Sequence, residues 1–101
     1  MRIIVTARHC EISDELRNRA ETVVEKVARL ATRPQKAEVI FDADHGNKVV
    51  ELKLSLPREQ TKVATAEAED FRTALDRAAD KIRKQLDKEA RKPTARSQAV
   101  E

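Results

Sequence analysis

Aromatic residues are almost absent from this 101-residue chain, which has two phenylalanines, Phe41 and Phe71, and no tryptophan or tyrosine. Nucleic-acid modules that stack bases on a sheet need aromatic side chains at exposed strand positions. Glycine is equally scarce, and the single glycine, Gly46, cannot build the glycine-rich loop that cradles a phosphate in nucleotide-binding enzymes. The two absences argue against a base-stacking sheet and against a nucleotide-binding loop.

Cysteine and long apolar runs are also scarce. One cysteine, Cys10, cannot form an internal disulfide, which fits a reducing compartment, so we expect a cytoplasmic protein. No apolar run approaches the ~20 residues of a membrane span, and no signal sequence opens the chain. The good soft-metal ligands are His9, Cys10 and His45, whose spacing matches no zinc motif. We expect no metal, no cofactor, no small-molecule substrate, no membrane partner and no enzymatic activity.

Hydrophobic periodicity predicts four strands and two helices. Apolar and polar residues alternate, as in strands with one buried face, over residues 2–8, 36–44, 48–56 and 62–67. Helical spacing begins after Ser13, which we interpret as an N-cap, and stops at Pro34; it begins again at Asp70 and runs to about Ala90. The residues Asp44 to Asn47, DHGN, are typical of a hairpin turn.

This order predicts an α+β fold, a two-layer sandwich with the sequence β-α-β-β-β-α. A four-stranded sheet with one apolar face needs a cover, and two amphipathic helices packed on that face supply it. We expect one domain over residues 1–92. Residues 93–101 lack periodicity, and we expect a disordered C-terminal tail there.

Charge is sorted along the chain. Residues 1–70 hold 12 basic and 13 acidic groups, whereas residues 71–101 hold nine basic and five acidic groups. The formal net charge of +3 therefore comes from the C-terminal third. A concentrated basic face indicates a polyanionic partner, although lysine and arginine are also common on solvated helix faces.

The cations of the second predicted helix fall on one side of it. On a helical wheel they occupy a sector about 80° wide, beside a row of aspartates. The five cations, here called the α2 stripe, are Arg77, Lys81, Lys84, Lys88 and Arg91. The neighbouring aspartates are Asp76, Asp80 and Asp87. Like charges at spacings of three or four residues repel one another, so the arrangement favours a phosphate backbone as the counter-charge.

The first helix repeats this trend with Arg19, Lys26 and Arg29 on one flank of its apolar face. If the helices pack side by side, we expect the two flanks to merge into one basic surface. Both phenylalanines fall on predicted core faces, so contact would be made with phosphates and groove shape, which favours structured RNA. Two alternatives stay open: a generic structured-RNA module resembling a double-stranded-RNA-binding domain, and a protein-interaction domain whose stripe docks an acidic partner.

Three segments carry a resemblance to a known family. Residues 6–17, TARHCEISDELR, are similar to its strand-to-helix opening, and Lys26 and Arg29 stand in its Lys-Leu-x-Lys run. The most specific segment combines AEAEDF at 66–71 with DKIRKQLDK at 80–88, which resembles its last strand and following helix. The chain thus resembles the ribosome hibernation-promoting factor and ribosome-associated inhibitor family, the ribosomal subunit interface proteins, over about residues 1–92.

The resemblance implies the same β-α-β-β-β-α fold and a function. Members bind the small ribosomal subunit in the channel for messenger and transfer RNA, near the decoding site, and hold ribosomes idle in stress or stationary phase. Positions carried over as contacts to ribosomal RNA are Lys26, Arg29, Lys81, Lys84 and Lys88; Arg77 and Arg91 join them through the wheel alone. Ending at Glu101, the chain resembles the short form, and we expect a monomer when it is free.

Overall fold

The computed structural model describes the backbone of residues 1–95 and the side chains of residues 1–88. Its elements, in chain order, are β1 (Arg2–Arg8), α1 (Asp14–Ala28), β2 (Lys36–Asp44), β3 (Asn47–Leu56), β4 (Gln60–Ala68) and α2 (Phe71–Ala95). The four strands form one sheet with two helices packed against it. The predicted α+β order is confirmed.

The sheet is mixed, with its strands in chain order β1-β2-β3-β4. β1 and β2 are parallel, and the other two pairs are antiparallel. The register aligns Val39 with Val5 on one side and with Leu52 on the other, and Leu52 in turn with Ala64. Since side chains alternate between faces, this register gathers the apolar residues of all four strands on one face.

The core lies between that face and the two helices. Its largest fully buried side chains are Phe41, Leu75, Ile82, Val39 and Val50. On α1 the buried positions recur at helical spacing, as Ala20, Val24, Val27 and Ala28. Among the described residues no helix covers the opposite face of the sheet, which mixes charged residues with aliphatic ones such as Ile40, 8% exposed.

Both helices start at the same end of the sheet. β1, β2 and β4 all finish at that end, and α1 and α2 each fold back from it over the sheet. Ser13 and Asp70, at the starts of the two helices, line one shared cleft. The helices therefore run parallel to each other, with both N-termini at one end of the molecule and the C-terminus of α1 toward the other.

Helix α1 begins as predicted and ends earlier. The Ser13 hydroxyl accepts a hydrogen bond from the Leu16 N–H at 3.0 Å, which confirms the N-cap. The last turn then tightens, because Leu30 N–H bonds Val27 O and Ala31 N–H bonds Ala28 O, both at 3.0 Å. Such three-residue bonds end an α-helix, so it stops at Ala28, well before Pro34.

The hairpin between β2 and β3 follows its sequence signature. His45 and Gly46 both have positive φ, 51° and 85°, as a two-residue turn between antiparallel strands requires. At the other end of the chain, α2 continues to Ala95, past the predicted stop near Ala90 and into the segment expected as tail. Residues 96–101 lie outside the described part of the chain, and a disordered tail there stays a prediction.

Candidate nucleic-acid interface

The described cations of the α2 stripe all lie on the exposed side of that helix. Arg77, Lys81, Lys84 and Lys88 are exposed residues. Arg91 belongs to the helix, but its side chain falls outside the described residues. The predicted stripe is therefore available to solvent over the three turns from Arg77 to Lys88.

Two stripe residues also bind the edge of the sheet. Arg77 Nη1 donates to the Glu67 carbonyl oxygen at 2.9 Å, and Lys81 Nζ donates to the Thr65 carbonyl oxygen at 2.7 Å. One turn further on, Gln85 Nε2 donates to the Val63 carbonyl oxygen at 2.9 Å. Each cation uses one of its several N–H donors in this way, so the bond fixes its position while leaving donors for a phosphate.

Lys84 extends from the exposed side of α2 and makes a long ion pair on its own helix. Its side chain is 80% exposed, and its Nζ lies 4.0 Å from Asp80 Oδ2, one turn back. The same aspartate is 3.6 Å from Arg83. Exposed pairs of this length contribute little to stability, because water and salt screen them. An incoming phosphate could therefore compete with Asp80 for the lysine.

On α1, the two predicted contacts lie toward its C-terminal end. Lys26 is exposed and lines the cleft that separates the helices. Arg29 is the C-cap residue, and its backbone N–H bonds Glu25 O at 3.2 Å. Cations here complement the negative end of the helix dipole, which is a structural reason for them besides any partner.

Opposite charges meet where α1 faces α2. Arg19 of α1 binds both carboxylate oxygens of Asp76 through Nη2, at 3.2 Å, so Asp76 faces α1. Arg77 and Lys81 point the other way, to the β4 edge. Asp76 thus lies between Arg19 and the stripe, whereas nearer the C-terminus of α1 Leu30 lines one cleft with Arg83 and Lys84. A single basic surface formed by both helices stays a prediction. The Arg19 Nε atom is buried and has no hydrogen-bond partner among the described residues.

The phenylalanines pack in or against the core, as predicted. Phe41 is fully buried, and Phe71 is half-buried and packs edge-to-face against it, with ring centroids 5.2 Å apart. The ammonium group of Lys48 lies 5.4 Å from the centre of the Phe71 ring. Since the chain has no other aromatic residue, the sheet offers no platform for stacking bases.

Two carboxylates with lowered pKa values lie away from the stripe. A hydrogen bond from His9 is the main cause that lowers the pKa of Asp42, beside Arg8. The backbone N–H of Thr73 lowers the pKa of Asp70 by donating to its side chain at 2.9 Å, in the manner of an N-cap on α2. Both groups are held ionised by structural contacts.

The described residues form neither a metal site nor a membrane-spanning helix. No group of three or more histidine, cysteine or acidic side chains there is arranged to hold a metal ion. Within the same part of the chain, neither helix combines the length and apolarity that crossing a membrane would require.

Sequence reasoning missed the contacts that hold α2 to the strand edge. Gln85 is not among the predicted site residues, although it continues the spacing of four residues set by Arg77 and Lys81. On the opposite edge, Arg17 Nη1 donates to the Val5 carbonyl oxygen at 3.3 Å. A polar series at four-residue spacing, on a helix that follows an edge strand, is the signal that could have revealed this contact.

A four-stranded mixed sheet, covered on one face by two parallel helices with an exposed cationic stripe, defines a class of small α+β proteins. The model of the sigma 54 modulation protein / S30EA ribosomal protein family matches residues 3–94, and the chain belongs to this family. The family comprises ribosome hibernation and subunit interface factors, which are not enzymes.

Individual relatives agree with this assignment. A ribosome hibernation promoting factor of Pseudomonas putida is 34% identical over 95 residues, covering 91% of this chain and 89% of that protein. Among solved structures, the N-terminal domain of Protein Y from Thermus thermophilus matches with a TM-score of 0.74 at 25% identity, over 85% of this chain and 96% of that one. A ribosomal subunit interface protein from Coxiella burnetii also gives 0.74, at 28% identity, over 89% and 98%.

Proposed function

We propose that this protein binds the ribosomal RNA of the small ribosomal subunit, in the channel for messenger and transfer RNA near the decoding site. There it holds ribosomes inactive during stress or stationary phase, in the cytoplasm. Membership of a family of ribosome hibernation and subunit interface factors supports the ribosome as partner. The finer assignment, to the decoding channel and its RNA, rests on the family resemblance and the surface chemistry.

The observation that carries the proposal is the α2 stripe. Its cations form a row of their own beside the aspartates of the same helix, of which Asp76 pairs with Arg19 of α1 and Asp80 lies 4.0 Å from Lys84. A helix that used its charges for internal pairing would interleave the signs. Sorted cations on an exposed helix face are suited to the regular negative charge of a nucleic-acid backbone.

The described stripe cations are of two kinds: two are bound to β4, and two extend into solvent. Arg77 and Lys81 are held by β4 carbonyl groups, so little side-chain freedom would be lost when they meet phosphates. Lys84 and Lys88 extend into solvent and could adapt to an irregular RNA surface. Arg91 would continue the series, while Lys26 and Arg29 of α1 would contact a separate strand of the RNA.

Inhibition would follow from occupancy alone. The protein needs no catalytic group, because a folded domain of this size in the channel excludes messenger and transfer RNA by volume. A monomer suffices for that role. Contact through phosphates and shape also explains why the fold can do without exposed aromatic residues.

The direct experiment is co-sedimentation with purified small subunits at low salt. We expect the wild-type protein to pellet with the subunits, and the K84E/K88E variant to remain in the supernatant while melting like the wild type. The matched control is K36E/K53E, which makes the same charge change on β2 and β3, away from α2. Equal loss of binding in both variants would mean that binding depends on the net charge of the protein and not on the position of Lys84 and Lys88.

Three further outcomes would count against the proposal or part of it. A wild-type protein that fails to pellet with small subunits at low salt would refute ribosome binding. Equal affinity for small subunits and for an arbitrary RNA duplex would instead indicate a generic structured-RNA module. Retained binding by K84E/K88E would refute the site while leaving the partner in place.

A further inference from the structure

β4, the nine residues Gln60–Ala68, is an edge strand: in the described part of the chain no further strand pairs with its outer side. Its sequence, QTKVATAEA, is rich in threonine, valine and alanine, and Val63 is 43% exposed. Long edges of this kind present free backbone N–H and C=O groups, to which the strand of another molecule can add. Natural proteins block such edges, and the structure shows how this one is blocked.

Three side chains of α2 occupy the carbonyl groups of this edge in order. The bonds run from Arg77 to Glu67, from Lys81 to Thr65, and from Gln85 to Val63, at 2.9, 2.7 and 2.9 Å. We call Arg77, Lys81 and Gln85 the edge clamp. It lies outside the core, and the family assignment does not require it.

The three clamp bonds can form in series because four residues of helix span nearly the same distance as two residues of strand. Four residues of helix rise about 6.0 Å, and two residues of strand advance about 6.7 Å. Since α2 runs antiparallel to β4, each further turn of the helix meets the next outward carbonyl group. The match allows three successive bonds, two of them from charged donors, which are the stronger kind.

We propose that the outer edge of β4 is a strand-pairing surface for a second copy of this chain, and that the edge clamp keeps it closed. An added strand would lie about 4.8 Å from β4, where the clamp side chains now stand. It would also have to supply N–H donors to the three carbonyl groups that the clamp already satisfies.

A second copy is the occupant that the edge itself favours. Two β4 strands paired antiparallel about Thr65 would set Thr65 against its counterpart and Val63 against Glu67, with two-fold symmetry. The same pairing would bring Arg77 and Lys81 of both copies together along the new seam. Their like charges would oppose pairing, so these two cations keep the edge closed by occupying acceptors and by repulsion.

The test is self-association of R77A/K81A/Q85A, measured by sedimentation velocity over a wide range of concentration, without RNA. Alanine removes the donors, retains helix propensity and adds no large apolar group. The charge-matched control is R72A/R83A, which removes two exposed arginines of the same helix that make no bond to β4 in the described contacts. We expect the clamp variant to dimerise with about tenfold or greater affinity than wild type and control, which stay monomeric.

Amide hydrogen exchange identifies the surface used. In the dimer we expect the N–H groups of Val63, Thr65 and Glu67 to gain protection, because they point to the same side as the clamped carbonyl groups. Protection confined to β1 would overturn the proposal, and so would a folded clamp variant that remains monomeric at every concentration. A wild-type protein that already dimerises through β4 would also overturn it.

If the triple variant unfolds, single substitutions of Lys81 test the same proposal by self-association. We expect K81A to shift toward dimer relative to wild type, and K81R, which keeps a donor and the charge, to stay monomeric. If K81A and K81R associate equally, the bond to Thr65 has no part in closing the edge.

Discussion

The turn between β3 and β4 holds two residues in a conformation that suits neither of them. Arg58 and Glu59 have φ values of 65° and 59°, both in the left-handed region. For residues with a Cβ atom this region costs about 1–2 kcal/mol each, and asparagine and glycine tolerate it best. The hairpin between β2 and β3 has Gly46 at the corresponding place, so one turn follows the rule and the other carries strain.

Relieving this strain should stabilise the protein. We expect the R58N/E59G variant to raise the free energy of unfolding by about 1 kcal/mol, since part of the gain is offset by the freedom of glycine in the unfolded chain. Denaturant titration measures the change. The control E59A keeps a Cβ atom and should give no gain in stability. If R58N/E59G is only as stable as wild type, the turn does not store strain that these substitutions relieve.

Asp70 makes the start of α2 sensitive to acid. Its carboxylate accepts the Thr73 N–H, which lowers its pKa in the folded state below the ordinary 3.8. The stabilisation is therefore fully present above pH 3.8 and is lost as the pH falls through the lowered folded-state pKa. We expect wild type to be more stable than D70N at neutral pH, and the difference to shrink in that acidic window. Chemical unfolding of both proteins across the acidic range tests this, and a constant difference would contradict it.

Among the elements, α2 has the most divided surface. One row packs on the sheet, a second binds the β4 edge through Arg77 and Lys81, and Asp76 pairs with Arg19 of α1. Lys84 and Lys88 occupy the remaining exposed sector. The helix is thus a structural support on one side and a charged surface on the other, and single substitutions on it will affect different properties.

If the protein binds RNA as proposed, the salt dependence of binding should reflect how many stripe cations contact phosphates. If all five contact phosphates, log K should fall with log salt concentration at a slope of roughly −3.5 to −4.5. We expect K84Q to make the slope shallower by about 0.7–0.9, because one phosphate contact is lost. K53Q, on the sheet, should leave the slope unchanged. A slope near zero in the wild-type protein would exclude a phosphate-dominated interface.

Most of the elements could be predicted from the sequence, because alternation and helical spacing are local properties. The strand from Lys36 to Asp44 and its hairpin follow directly from the pattern and from Gly46. The ends of α1 and α2 could not be predicted as well, and at the end of α1 the last turn tightens through bonds from Leu30 and Ala31 that hydrophobic spacing does not reveal. The helical wheel placed the exposed cations correctly, but it holds no information about the neighbouring strand edge. The Lys81 bond to Thr65 and the Arg19 pair with Asp76 are therefore tertiary findings.

At the scale of the whole molecule, one face of the sheet carries the stability. Leu75 is fully buried between α2 and that face, whereas Val63 lies exposed on the edge strand. We expect L75A to lower the free energy of unfolding by about 2–5 kcal/mol and V63A to change it by about 0.5 kcal/mol or less. Thermal or denaturant unfolding measures both, and comparable losses would contradict a one-sided core.

The shared starting end of the two helices gives the molecule an electrical polarity. Carboxylates gather where β1, β2 and β4 finish and the helices start; they include Asp14, Glu15, Asp42, Asp44, Glu69 and Asp70. Cations gather toward the opposite end, including Arg29, Arg33, Arg58, Lys84 and Lys88. In the electric field of a polyanion, a molecule with this charge distribution is oriented before contact. The protein would therefore approach a polyanionic partner already oriented, with its acidic end pointing away from that partner.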